Sequence, residues 1–185
     1  MATLPIVTWP NAVLKQRCEA VADFGPELGE LLDNMRETMV DAEGLGLAAN
    51  QVAVSLRVFL MSVPLDEEND TDYELFEVIN PVIKSRRGEQ RFEEGCLSFP
   101  GLSETVVRAD EIDLAYVDRQ GNEQNRTLSG LAAVCAQHEL DHLDGVTFID
   151  RLSPLKRRLA MRAYARERRA RAEEERDDAT AILRR

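Results

Sequence analysis

Two histidines four positions apart are the side chains of this sequence best suited to hold a metal ion. His138 and His142 stand in the segment 138–142 (HELDH), and the chain has no other histidine. Residues four apart on a helix project from the same side about one turn apart, so both imidazoles can bind one ion. Glu139 lies about 100° around the helix from His138, where it can move a proton of a coordinated water without being a ligand. The spacing predicts a metal-dependent hydrolase.

The residues before this pair support the same interpretation. Leu131, Val134 and Cys135 form an apolar stripe that runs along one helical face directly into both histidines. Burial of an imidazole without a partner costs about 1 to 3 kcal/mol, and a metal ion removes that penalty. The alternative for a bare HExxH match is a helix with two hydrogen-bonded core histidines and an unrelated glutamate.

A cysteine is the predicted third ligand. The chain has no further histidine, and the only glutamate at a suitable distance downstream, Glu167, lies in the basic C-terminal segment. Cys135 precedes His142 by seven residues, a helical rise of about 10 Å, which is too far for both to bind one ion. Cys18 lies in an otherwise unremarkable segment, and we interpret it as part of the core.

Cys96 is the remaining candidate. It follows Gly95, and a glycine permits an unusual backbone turn and a close approach to a ligand. The alternative is a buried free thiol where a strand meets a loop. With His138 and His142, Cys96 and one water would complete an open tetrahedral site of the kind that suits zinc.

Length and composition favour one soluble domain with an appended helix. The 185 residues are 44% hydrophobic and 31% charged, and no apolar run approaches the roughly 20 residues that span a bilayer. We therefore expect no membrane span. The first ten residues lack the features of a secretory or organelle-targeting signal, which predicts a cytoplasmic protein. Three widely spaced cysteines predict no disulfide.

The charge of the chain is divided unevenly. The net charge is −11, yet residues 156–185 contain eleven Lys and Arg against six Asp and Glu. This asymmetry favours contact of the tail with a polyanion such as RNA. A solvated helix whose Glu and Arg residues pair with each other is the alternative. We expect a catalytic domain at residues 1–152 and a basic C-terminal helix at 153–185.

The apolar pattern predicts an α+β fold, because strands are followed by helices without regular alternation. Helices are predicted at 26–41, ended by Gly44, from Ser129 through the histidines, ended by Gly145, and after the N-cap Ser153. Strands are predicted at 57–63, 77–79 and 105–107, together with a hairpin that has 112–116 as its first strand and 118–122 as its turn. The acidic run 66–72 is predicted to be a surface loop.

Three segments together resemble the signatures of the peptide deformylase family. They are residues 44–51 (GLGLAANQ), 94–98 (EGCLS) and 137–142 (QHELDH), in the family's order and at its spacing. Each alone can arise by chance, whereas the ordered triple is highly specific. The resemblance extends from about Ile6 to the start of the tail. We expect small antiparallel or mixed sheets around a central helix that carries the HExxH motif, with a further C-terminal helix.

The resemblance also implies roles for individual residues. It gives the metal ligands as Cys96, His138 and His142 and the general acid/base as Glu139. It adds two donors to the developing oxyanion, the side chain of Gln51 and the backbone N–H of Leu97. The family's ion is Fe²⁺, with Zn²⁺, Ni²⁺ or Co²⁺ as possible substitutes, and iron is expected on the resemblance alone.

The implied reaction is removal of the N-formyl group from the initiator methionine of nascent polypeptides, with release of formate. Metal-bound hydroxide would attack the formyl carbonyl, and Glu139 would pass the proton to the departing amine. The backbone of 44–46 would accept an extended peptide as an added strand. The substrate-binding residues would be Gly44, Leu45, Gly46, Leu131, Val134 and Cys135.

The resemblance also bears on Arg108, Ser103 and the C-terminal tail. Arg108 matches a family arginine, and we predict that it pairs with Glu94 to brace the cysteine loop. Ser103 stands where some bacterial members have an arginine that contacts the substrate backbone, which leaves the affinity for longer peptides open. The tail resembles the C-terminal helix that docks bacterial deformylases on the ribosome near the exit of the nascent chain.

Two other functions remain possible at this point. A zincin-like metallopeptidase would have a histidine or glutamate as third ligand and would cut unformylated peptides. A ribosome-associated protein with a structural metal would have a fourth protein ligand. The sequence leaves open which metal is loaded, the oligomeric state, the preference beyond methionine and whether the host is a bacterium or an organelle.

Overall fold

The computed structural model describes residues 2–64 and 73–183, without the side chains of 174–183. The described residues form two antiparallel sheets and three α-helices, which confirms the α+β class. The predicted loop at 66–72 lies outside the described residues. The helices are α1 (Pro26–Asp41), α2 (Gly130–Leu143) and α3 (Pro154–Leu183). The strands are β1 (Gly46–Ala48), β2 (Val58–Pro64), β3 (Tyr73–Arg87), β4 (Gln90–Gly95), β5 (Ser103–Arg108), β6 (Glu111–Val117) and β7 (Glu123–Ser129).

The larger sheet has five strands in the order β1-β2-β3-β6-β7, and β4 pairs with β5 in a separate sheet of two strands. The predicted hairpin is the pair β6 and β7. Its turn is closed by the Asp118 carboxylate, which accepts the backbone N–H groups of Gln120 and Asn122 at 3.0 and 2.9 Å. This hairpin leads directly into α2 and so fixes where the helix that carries both histidines starts.

Strand β3 is much longer than the prediction of 77–79. Its first half pairs with β2 and its second half with β6. Asn80 has a φ of 51°, and the register with β6 shifts between Ile79 and Val82. This irregularity lets one strand serve two partners, but it interrupts the alternation by which a strand is recognised in sequence.

Helix α2 lies against the larger sheet and is buried through 132–143. Small residues such as Ala133 and Ala136 allow close packing against Phe59 and Met61 of β2. The helix also buries polar side chains, which are stable there only if they are paired. Gln137, for example, donates to the carbonyl oxygens of Ala109 and Ala133, both at 2.9 Å. The remaining buried polar groups of α2 belong to the candidate site.

Helix α1 has the predicted bounds and ends in a tight cap. The left-handed residue of this cap is Glu43 at φ 53°, rather than the predicted stop Gly44. The Gly44 N–H bonds to the Met39 carbonyl oxygen at 2.9 Å, and the Glu43 N–H bonds to that of Val40 at 3.0 Å. The chain therefore turns sharply into β1, which borders the candidate site.

Helix α3 begins at Pro154, and the Ser153 hydroxyl accepts the Lys156 N–H at 3.4 Å, as an N-cap does. Its early turns belong to the core, because Ala160 and Tyr164 are buried. The ring of Phe99 lies 5.5 Å from that of Tyr164, so α3 packs on the loop that follows Cys96. None of the described helices is long and apolar enough to cross a membrane.

Candidate metal centre

The structure brings together one cysteine and both histidines. Cys96 follows the end of β4, while His138 and His142 project from one face of α2. Their donor atoms all lie within 4.8 Å of one another, and Cys96 Sγ is 3.2 Å from His142 Nε2. Among the described residues, no fourth cysteine, histidine or carboxylate joins this group. The set fits a divalent ion held by one thiolate and two imidazoles, with one position open.

His138 is oriented by Glu94. Its Nδ1 lies 2.8 Å from Glu94 Oε2, so this nitrogen carries the proton and Nε2 is free to bind a metal. Arg108 donates to both oxygens of the same carboxylate, at 2.7 and 2.9 Å, and both residues are buried. Burial raises the pKa of Glu94, but hydrogen bonds from Arg108 and His138 outweigh it and lower the pKa to about 2. Glu94 is therefore a carboxylate at neutral pH.

The Arg108 guanidinium reaches a second carboxylate, which the sequence reasoning missed. Arg108 Nη1 lies 2.5 Å from Asp141 Oδ2, and Arg151 Nε donates to the same oxygen at 3.0 Å. Asp141 is the fourth residue of HELDH and is 7% exposed. A carboxylate on a buried helical face is stable only beside a cationic side chain. The position of Asp141 on the buried face of the helix could therefore have indicated in the sequence that it has such a partner.

The pKa values of the two histidines shift in opposite directions. Burial disfavours the charged form of both. For His138, hydrogen bonds to Cys96 and Glu94 outweigh burial and raise its pKa well above the usual value. For His142, burial and the neighbouring charge of His138 lower the pKa far below the usual value, so His142 is neutral.

Glu139 reaches the same cavity from α2. It is 4% exposed, and its Oε2 has no hydrogen-bond partner among the described residues. Burial raises the pKa of Glu139 to about 7. A Cβ on Gly46 would lie 2.8 Å from the Glu139 carboxyl carbon, so any larger residue would displace this carboxyl group. Gly46 thus leaves room for Glu139.

Gln51 faces the cysteine from a short 3-10 helix (Ala49–Val52). Its Oε1 accepts the Ala48 N–H at 2.8 Å, which turns its amide nitrogen toward the site. Gln51 Nε2 lies 3.2 Å from Ser98 Oγ and 3.5 Å from Cys96 Sγ. Gln51 therefore presents N–H donors beside the candidate metal position.

A cavity of about 620 Å³ opens onto this group. Its walls come from residues 43–46, from β4 and the following loop to Ser103, and from α2. Every residue expected to bind substrate lines it: Gly44, Leu45, Gly46, Leu131, Val134 and Cys135. Leu97 lines it as well. The structure thus gathers all the predicted substrate contacts around one opening.

Cys135 and Ser103 make different contributions to the cavity wall. Cys135 Sγ points to the Leu45 carbonyl oxygen at 3.7 Å, and burial raises the pKa of this thiol well above its usual value. Cys135 is therefore an apolar wall residue. Ser103 donates to Glu93 Oε1 at 2.8 Å, so a hydroxyl and a carboxylate occupy this rim of the cavity.

Comparison with known proteins identifies the family. The family model described as "Polypeptide deformylase" matches residues 3–158. The chain belongs to the peptide deformylase family. Peptide deformylase 2 of Xanthomonas campestris pv. campestris is 46% identical over 169 residues, which cover 90% of this chain and 96% of the relative. Members of this family are metal-dependent enzymes that remove N-formyl groups from nascent peptides.

Solved peptide deformylase structures share the fold. The crystal structure of a peptide deformylase from Legionella pneumophila superposes with a TM-score of 0.83 at 42% identity, covering 92% of this chain and 98% of that one. A peptide deformylase from Acinetobacter baumannii, described as Met-Ala-Ser bound, has a TM-score of 0.75 at 31% identity and covers 82% of this chain and 99% of that one.

Proposed function

We propose that this chain hydrolyses the N-formyl group from the initiator methionine of nascent polypeptides and releases formate. The observation that carries the proposal is the cluster of Cys96, His138 and His142 beside the cavity that Glu139 lines. A metallopeptidase of the zincin type would need a histidine or glutamate where this site has Cys96. A structural metal would need a fourth protein ligand, and the described residues offer none to this group.

Cys96, His138 and His142 would hold the metal. We propose Fe²⁺ as the physiological ion, with Zn²⁺, Ni²⁺ or Co²⁺ as substitutes. The donor set fits these ions, because a thiolate and two imidazoles suit each of them. When bound, the ion supplies Lewis acidity and lowers the pKa of a coordinated water.

Glu139 would be the general acid/base. A carboxyl group transfers protons most effectively when its pKa is near the operating pH, and the pKa of Glu139 is about 7. Its unpartnered Oε2 is free to accept the proton of the attacking water. Glu139 would then deliver this proton to the amine that departs from the formyl group.

Gln51 Nε2 and the backbone N–H of Leu97 would stabilise the oxyanion that develops on the formyl oxygen. Donors of this kind contribute roughly 3 to 4 kcal/mol each when they are aimed at the developing charge. The Gln51 amide is held in place before the reaction by the Ala48 N–H. No reorientation of this donor is required during the reaction.

The methionine side chain would occupy the apolar part of the cavity, next to Leu131, Val134 and Cys135. The peptide would extend along the backbone of 44–46, where main-chain hydrogen bonds do not depend on the residue that follows methionine. The Acinetobacter baumannii relative is described as Met-Ala-Ser bound, which supports a peptide that begins with methionine as the ligand. The polar rim formed by Ser103 and Glu93 would replace the arginine contact of some relatives.

We further propose that α3 binds the ribosome. Arg162, Arg166 and Arg169 are exposed on it and have no ion-pair partner among the described residues. Arg171 pairs with Glu167 at 3.0 Å, so part of the positive charge of the tail is balanced by ion pairing within α3. Unpaired cations on one helix favour a polyanionic partner such as ribosomal RNA.

The test compares a formyl-Met peptide with the same peptide lacking the formyl group. We expect formate release and a free amino terminus from the first, and no cleavage of the second. Cleavage of internal bonds in the unformylated peptide would support a peptidase instead. The Cys96→Ala variant is the control, because loss of the thiolate is expected to remove both the metal and the activity.

A further inference from the structure

Asn50 connects the turn that carries Gln51 to the end of helix α2. Its side chain is buried, at 1% exposure, and its Nδ2 donates to the His142 carbonyl oxygen at 2.6 Å. A carbonyl oxygen can only accept, so this contact fixes which end of the Asn50 amide is the nitrogen. The amide oxygen, Oδ1, is buried and has no partner among the described residues.

The imidazole of His142 has an unpaired atom too. Its Nε2 lies 3.2 Å from Cys96 Sγ, whereas its Nδ1 is buried without a partner in the described part of the chain. His138 differs, because its Nδ1 meets Glu94 at 2.8 Å. Metal-binding histidines almost always donate this second N–H to an acceptor, which fixes the tautomer and the ring orientation. His142 lacks such an acceptor within direct reach.

The two unpaired atoms are complementary. When Nε2 of His142 binds a metal, Nδ1 must carry the hydrogen and is a donor, whereas Asn50 Oδ1 is an acceptor. Both atoms belong to residues already joined by the Asn50 contact to the His142 carbonyl. One buried water that accepts from Nδ1 and donates to Oδ1 satisfies both groups, each of which is unfavourable when buried without a partner.

We infer that Asn50 is a positioning residue for His142 and acts through one buried water between Oδ1 and the His142 Nδ1–H. The inference rests on the proposed role of His142 as a metal ligand. In this arrangement the Asn50 oxygen keeps His142 Nε2 aimed at the metal, and the Asn50 nitrogen holds the adjacent turn against α2. Asn50 therefore keeps the metal ligand and the donor of Gln51 in a fixed relation.

The test uses the zinc-loaded protein and the variant Asn50→Leu, which keeps the branching at Cγ but removes both polar atoms. Outer hydrogen bonds to metal ligands typically contribute 10- to 100-fold to metal affinity, so we expect the zinc dissociation constant to rise by about that factor. Thr38→Val is the matched control. Thr38 is a buried residue of α1, and its hydroxyl bonds to the Leu4 N–H at 2.8 Å and to the Asn34 carbonyl oxygen at 2.7 Å.

A measurement on the unaltered chain covers the case in which Asn50→Leu does not fold. Only two histidines are present, so the imidazole region of an NMR spectrum contains two ring systems. We expect two slowly exchanging Nδ1–H protons in the zinc-loaded protein, and a cross-relaxation signal between water and the one assigned to His142. A rapidly exchanging His142 Nδ1–H, without a water contact, would overturn the inference.

The outcomes separate this inference from the proposed function. Equal zinc affinities for Asn50→Leu and Thr38→Val would overturn the positioning role and leave formate release untouched. Absence of zinc binding by the unaltered chain would overturn the metal role of His142, and the positioning role would fall with it.

Discussion

Glu94 Oε2 lies 2.8 Å from His138 Nδ1, and the Glu94 carboxylate also accepts two hydrogen bonds from Arg108. A carboxylate in this position fixes the imidazole tautomer and makes the other ring nitrogen a better ligand. Arg108 also pairs with Asp141 on the metal-binding helix, so one guanidinium joins β5, the end of β4 and α2. The orientation of His138 thus depends on Arg108, which does not line the cavity.

Arg108→Ala is expected to weaken both metal binding and the fold. The substitution leaves Glu94 and Asp141 as buried charges without this partner, and such a loss typically costs about 3 to 5 kcal/mol. Metal affinity should fall by about 10- to 100-fold as the orientation of His138 loosens. Metal content after dialysis measures the loss of metal affinity. Urea unfolding measures the loss of stability.

Arg126→Ala is the control for this prediction. Arg126 forms an exposed ion pair with Glu74 at 3.5 Å, and pairs of this kind contribute about 0 to 1 kcal/mol. Full metal content and full activity in Arg108→Ala would show that the bracing role is wrong.

Glu139→Gln is expected to abolish most of the hydrolysis while the metal stays bound. The amide has nearly the same shape but cannot accept or deliver the proton, and loss of a general acid/base typically costs a factor of about 10² to 10⁴. The measurement is kcat for formate release alongside metal content. If the variant retains its metal and hydrolyses at the rate of the unaltered chain, Glu139 is not the proton carrier.

The raised pKa of Glu139 predicts that the stability of the metal-free protein depends on pH. The pKa of Glu139 is about 7 in the folded chain and is taken as 4.5 without burial, so the folded state binds this proton more tightly than the unfolded state. Protonation of Glu139 contributes roughly 3 kcal/mol to the free energy of unfolding. This contribution is fully present below pH 4.5 and is lost as the pH rises through 7. Glu139→Gln lacks this titration.

Urea unfolding of both metal-free proteins between pH 4 and 8 tests this dependence. We expect the stability of the unaltered chain to decline relative to Glu139→Gln across this range. A difference between the two proteins that stays constant with pH would contradict the raised pKa.

Truncation before Arg166 is expected to weaken ribosome binding and to spare hydrolysis of a formyl-Met peptide in solution. The shortened chain keeps Ala160 and Tyr164, the described buried residues of α3, and loses the exposed arginines that follow. Co-sedimentation with ribosomes at several salt concentrations measures the first effect, and the peptide assay measures the second. Equal ribosome affinity with and without the segment would overturn the proposed partner.

A more extensive truncation provides a contrast. Ending the chain after Leu159 removes Tyr164 from the ring of Phe99 in the loop after Cys96. Removal of a buried aromatic side chain costs about 3 to 5 kcal/mol, so this form should unfold at lower urea concentration.

The sequence was most informative where chemistry is local. The spacing of His138 and His142 on one helix, and the helical rise that separates Cys135 from His142, depend on helix geometry alone. The bounds of α1 and the hairpin of β6 and β7 likewise follow from apolar periodicity and turn residues. Such features need no knowledge of which distant segments meet.

The features that were missed depend on contacts between distant segments. Arg108 and Arg151 both reach Asp141, and the sequence offers no rule that selects these partners from the other arginines. The contact between Asn50 and His142 joins residues 92 positions apart. The close approach of Glu139 on α2 to Gly46 on β1 is likewise visible only in the folded chain.

The most direct test of the central claim is anaerobic purification followed by metal analysis and a formate assay on a formyl-Met peptide. We predict one iron per chain, one formate released for each free amino terminus produced, and loss of both metal and activity in Cys96→Ala. An iron-loaded chain that releases no formate would contradict the assignment of this site to deformylation.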